Sequence, residues 1–221
     1  MCLSTAISAT KISLSSTSQV HVGNHVRGTF IMQKLRLQFV RPEQVEDKSM
    51  RNAIFESVEK GTPRAESQAI RARLPHVFWS FQNTWQTVFV EGIVNHDLKE
   101  LCRVYVSQSV ECQYCGNQRS SKSTASGLTE SKYQELLNFE KSDLYDGATK
   151  AALALTEAIT WDLDTNDMFW TRLYQFFSEE EIIEIGYFVG FTMGQQRFNR
   201  LLNIHDHLGT TGFESMKKLE N

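Results

Sequence analysis

Cysteine and proline are scarce: four Cys and three Pro in 221 residues. So few cysteines exclude the disulfide framework of a small secreted domain, and a chain this long buries a core without one. Neither sign of charge dominates, with 23 basic against 26 acidic residues and a net charge of -3. That balance excludes a broad electrostatic grip on nucleic acid or an anionic membrane. Long apolar runs are also missing: the longest strongly apolar stretch, 185–193, contains glycines and is flanked by Glu184 and Gln195, far short of the ~20 residues a spanning helix needs. The reading is a protein of a reducing compartment, the cytoplasm, that handles small neutral substrates or protein partners.

Residues 1–30 contain no acidic residue, are rich in Ser and Thr, and show no sustained apolar period, so they are not expected to pack. Residues 1–31 read as a disordered tail or as the product of a start assigned upstream of Met32, although a Ser-rich, acid-free start also resembles a transit peptide. Residues 32–73 are expected to form an N-terminal extension packed on the core, with an alternating segment at 35–40 that could be extended and a brief helix at 53–58 ending before Gly61 and Pro63. After Pro75, Phe78, Phe81, Trp85, Phe89 and Ile93 recur at three and four positions, predicting a helix with an aromatic core stripe.

Asn95 or Asp97 suits the N-cap of a second helix whose buried face carries Leu98, Leu101, Cys102, Tyr105 and Val106, with Glu100 off that face. A polar loop is expected at 120–127 and helical periods return at 133–139, 148–161 and 168–177. Ser178 followed by three glutamates predicts the start of a long helix reaching about Ile204. Gly186, Gly190 and Gly194 lie on one face of it, which would let a neighbouring helix approach closely. With no convincing strand after residue 65, the fold class is an all-α bundle.

The chemistry concentrates at Cys112-Gln113-Tyr114-Cys115. A CxxC of this kind is half of a zinc site, a redox dithiol, or two unrelated cysteines. Zinc wants four ligands, and His205 and His207, one residue apart, lack the usual spacing. A redox dithiol needs a thiolate at neutral pH, favoured at a helix N-terminus. Nothing in 113–120 forbids a helix starting at Cys112, with Cys115 in its first turn and Arg119 one turn on, where its guanidinium would steady the Cys115 thiolate.

Glu100 stands twelve positions before Cys112, and Arg119 four after Cys115. This arrangement resembles the signature of the alkylhydroperoxidase D branch of the carboxymuconolactone decarboxylase superfamily, in which a glutamate, CxxC and a histidine hold those places. The resemblance spans residues 74 to about 204. It implies an all-helical bundle with the CxxC at a helix N-terminus, and an assembly of identical chains, a trimer or hexamer. It also implies that Cys115 attacks a hydroperoxide or disulfide and that Cys112 resolves the product.

Arg119 departs from the pattern, since a guanidinium cannot serve as a base; the expectation is that it pairs with Glu100 and holds the thiolate by charge, with His96 a candidate proton carrier. The expected catalytic set is Cys115, Cys112, Glu100 and Arg119, with no cofactor, no metal, and electrons drawn from a dithiol protein or a small thiol. The helical domain is placed at 74–208, followed by a tail at 209–221. The alternative is a non-catalytic helical scaffold or binding module of the same superfamily.

Overall fold

The computed structural model describes residues 34–204; the expectations for the first 31 residues, Cys2, His205, His207 and the C-terminal tail lie outside them. Ten α-helices are present among the described residues, and no strand. The N-terminal pair is α1 (Lys48–Lys60) and α2 (Ala65–Arg71). Asp47 caps α1 by accepting from the amides of Ser49 and Met50 at 2.8 and 3.1 Å, which starts the helix five residues before the sequence period suggests. The segment at 35–40 is not a strand. Its backbone bonds run to isolated carbonyls, Arg36 N to Leu202 O and Val40 N to Ala69 O, rather than along a ladder, and of the alternating apolar residues Leu35 is buried while Leu37 is exposed.

Next come α3 (Pro75–Thr84) and a π-helical turn, Trp85–Val90. Phe78, Phe81, Trp85 and Phe89 are buried as the stripe predicts, but Ile93 is 66% exposed. The wide turn explains the miss: Glu91 N bonds back five residues to Gln86 O at 3.0 Å, so the α-period no longer holds beyond it. Phe89 stacks on Phe188 with centroids 5.1 Å apart, and Trp85 lies against both.

The centre of the bundle is three long helices packed on one another, α4 (His96–Ser109), α8 (Gly147–Trp161) and α10 (Glu179–Leu201). Asn95 caps α4. On α8 the buried face is largely Ala151, Ala152, Leu153 and Leu155, small enough to let α4 lie close. Ser178 and Glu181 form the predicted capping box on α10. Four shorter helices fill the gaps: α5 (Gln113–Gly116), α6 (Ser121–Ala125), α7 (Glu130–Gln134) and α9 (Asp167–Tyr174). The expected loop at 120–127 therefore contains α6.

The glycine row of α10 departs from the expected packing and meets no neighbour: a Cβ built at Gly186, Gly190 or Gly194 finds nothing within 4 Å among the described residues. The same face exposes Ile183 (69%), Tyr187 (56%) and Leu201 (71%). By contrast Gly61, with φ +73°, is packed so tightly that a Cβ there would fall 2.0 Å from the Arg119 carbonyl oxygen. Only glycine combines that conformation with that approach, and it seats the end of α1 on the chain leaving the CxxC.

Candidate functional site

Cys112 is the N-cap of α5, and its sulfur accepts from the Cys115 amide at 3.3 Å. The two cysteines are joined as a disulfide, with Cα atoms 5.3 Å apart, and both are buried. Tyr114 between them reaches α2, where its hydroxyl accepts from Ser67 N and donates to Glu66. Gln118 completes the clamp: its side-chain oxygen accepts from Thr62 and Arg64 N, and its amide donates to the Tyr114 carbonyl. The CxxC is thus fixed from both ends by elements that precede it by about fifty residues.

Glu100 is fully buried rather than off the buried face of α4. Arg103, one turn on, makes burial possible: its guanidinium donates to both Glu100 carboxylate oxygens at 2.7 and 2.9 Å and to the carbonyls of Cys115 (3.0 Å) and Gln118 (2.8 Å). Ser120 N donates to Glu100 at 2.9 Å. Glu100 therefore acts on the CxxC through Arg103, which holds the Cys115 backbone. Arg103 is the residue that spacing alone missed, and the available signal was a Glu and an Arg at i, i+3 flanking the apolar pair Leu101 and Cys102.

Arg119 does not pair with Glu100. α5 ends after four residues with Asn117 as its C-cap, so the chain leaves the helix before Arg119 can return to the Cys115 face. Its guanidinium instead binds Glu130 at 2.8 and 3.0 Å and lies over the Tyr133 ring, 4.1 Å from the centroid. His96 is buried with Nδ1 2.9 Å from the Phe89 carbonyl and Nε2 2.8 Å from Ser120 Oγ. The carbonyl can only accept, so Nδ1 carries the proton and Nε2 accepts from Ser120. Burial, helped by the Lys122 charge, holds this imidazole below its ordinary range against the opposing pull of the Phe89 bond. Cys102, also buried, has its thiol pushed up to about 11 by burial, so it stays protonated as an inert core group.

A cavity of about 30 Å³ opens onto Cys115, with walls that include Phe81, Trp85, Gln196 and Asn199; Cys112 does not line it. That volume holds roughly two water-sized groups. Asn199 Nδ2 lies 3.8 Å from the Cys115 sulfur, and no histidine lines the cavity.

Residues 75–158, from α3 through most of α8 with both cysteines, match a known family. This segment is similar to the carboxymuconolactone decarboxylase family. The uncharacterized protein YdfG of Bacillus subtilis (strain 168) is 29% identical over 97 residues, 43% of this chain and 66% of that protein, so this chain spans just under two thirds of that relative. Among solved structures the fold is similar to the debrominase Bmp8. A cysteine-to-alanine variant in complex with 2,3,4-tribromopyrrole matches at TM-score 0.65 and 18% identity, covering 77% of this chain and 90% of that one. The apo form matches at TM-score 0.59 and 18% identity, covering 77% and 98%. The likeness to Bmp8 is one of fold. Asn199, Gln196 and Arg71, which complete the walls around Cys115, all lie outside the matched segment.

Proposed function

We propose that this protein is a thiol–disulfide oxidoreductase that reduces a hydroperoxide or a disulfide with the Cys112/Cys115 dithiol. The observation that carries this reading is that Cys115 alone of the pair lines a cavity with room for two heavy atoms, while Cys112 sits behind it within disulfide reach. In the reaction the Cys115 thiolate attacks the terminal oxygen of ROOH. The O–O bond breaks, ROH leaves after protonation, and Cys115 becomes a sulfenic acid. Cys112 then attacks that sulfur, water departs, and the disulfide forms; a dithiol protein or small thiol in a reducing compartment such as the cytoplasm returns two electrons. Glu100 and Arg103 position the Cys115 backbone, and proton transfer falls to water or to groups beyond the sulfur's immediate neighbours.

The test is a thiol count on reduced protein before and after a small excess of organic hydroperoxide. Wild type should lose two thiols, Cys112→Ser should trap a sulfenic acid at Cys115, and Cys115→Ser should lose neither. Retention of all thiols in wild type would instead support the second reading, a non-catalytic scaffold of the same superfamily. That reading is favoured by one feature: the Glu100 carboxylate is engaged by Arg103 and Ser120, and no base lines the Cys115 cavity.

The bare glycine face of α10, flanked by exposed Ile183, Tyr187 and Leu201, supports assembly of identical chains, a trimer or hexamer, through that face. Sedimentation should then give a multiple of the chain mass that falls to one chain in Gly190→Leu; a monomeric wild type would end this proposal.

A further inference from the structure

Arg71, the last residue of α2, contributes a cation to the Cys115 cavity. Its guanidinium donates to two amide oxygens, Gln68 Oε1 at 3.3 Å and Gln195 Oε1 at 2.9 Å, and lies 3.8 Å over the Phe81 ring. It forms no ion pair with a carboxylate among the described residues. Burial lowers its pKa to about 10, which leaves it charged at neutral pH. The other cation of the cavity, Arg103, is already neutralised by Glu100, and no carboxylate lines the walls.

The residues sort by depth. Arg71 and Gln195 are half-buried, whereas Cys115, Arg103, Gln196 and Asn199 are buried. Arg71 is therefore the less deeply buried residue of the wall and Cys115 the more deeply buried one. A cation held in place without a counter-charge is costly, because desolvation is incurred with no Coulombic return; in a ligand site, the return comes from the ligand. Gln196, another wall of the cavity, is held by its amide nitrogen, which donates to the Arg103 carbonyl and to Thr192 Oγ1.

We infer that the Cys115 cavity selects small substrates that carry a carboxylate or a like anion, the anion bound by Arg71 and the reactive group lying against the sulfur. This rests on the reading of Cys115 as the attacking sulfur, and it narrows the substrate class to anionic hydroperoxides or disulfides. A long neutral alkyl hydroperoxide leaves Arg71 uncompensated.

The experiment uses iodoacetate and iodoacetamide, which differ only in a carboxylate for an amide, on the full reduced chain carrying Cys112→Ser. The alkylated cysteine is identified by peptide mass spectrometry. At Cys115, iodoacetate should outpace iodoacetamide, and that ratio should fall by at least about tenfold in Arg71→Gln and recover in Arg71→Lys, as expected for one charge-assisted contact. Sodium formate at constant ionic strength should slow the reaction of the unaltered cavity with either reagent, a readout that needs no Arg71 variant to fold. A ratio below one that ignores Arg71, no protection by formate, or no alkylation of Cys115 by either reagent would each overturn the inference. Because alkylation does not depend on peroxide turnover, an inactive enzyme with a strong iodoacetate preference would sink the peroxidase reading and leave the anion site standing.

Discussion

Replacing Arg103 by methionine should lower the unfolding free energy by about 3–5 kcal/mol, the scale for removing one partner of a buried pair. The variant leaves the Glu100 carboxylate in the interior without its cation and strips a donor from each of the Cys115 and Gln118 carbonyls. Arg119→Met makes a sharp contrast. Its Glu130 partner is 64% exposed, and solvent-screened pairs of that kind are worth roughly 0–1 kcal/mol. Urea unfolding of the two variants distinguishes them, and equal losses would refute the assignment of Arg103 as the structural partner of Glu100. The double variant Glu100→Leu, Arg103→Met should recover much of the loss, since the penalty comes from the orphaned charge rather than from a missing attraction.

Phe188→Ala is expected to cost about 3–5 kcal/mol, as for other fully buried phenylalanines. Phe188 is the α10 side chain that closes the aromatic cluster with Phe81, Trp85 and Phe89. Its removal opens a void beneath the π turn and behind Trp85, which is also a wall of the Cys115 cavity. Met168→Ala on α9, at a site 78% exposed, should change stability by less than about 0.5 kcal/mol. A thermal or urea melt that shows the two variants alike would mean that the cluster is not a cooperative part of the core.

Features determined by local chemistry are legible in the sequence. The Ser178–Glu181 box announces α10 because the signal and the bond it makes lie within three residues. Asn95 and the face with Cys102 and Tyr105 follow from an apolar period of a single helix. Cys112 and Cys115 rank together because three positions at a helix start bring two sulfurs within reach.

The misses have identifiable physical reasons. Glu100 reads as a solvent-facing charge because an apolar period assigns a carboxylate outward by default, and only the three-residue offset to Arg103 reverses this. Arg119 falls on the Cys115 face only if the helix continues, but α5 lasts four residues. Ile93 drops out of the stripe because a π turn carries no reliable period. Arg71 leaves no local trace at all: it sits 44 residues before Cys115 in the sequence, and only the packing of α2 against the CxxC segment brings it to the cavity.

The π turn at Trp85–Val90 bears on where the length of related chains can vary. A wide turn holds one residue more than an α-turn of the same reach, so a deletion there can return the backbone to ordinary α-geometry and be absorbed by the short link to α4. The same one-residue change inside α4, between Glu100 and Ser109, has no such outlet, since it would rotate Glu100 by about 100° relative to the end of the helix and the CxxC beyond it and pull the carboxylate away from Ser120. Chains related to this one should therefore vary in length at the wide turn and keep a fixed length from Glu100 to Cys115.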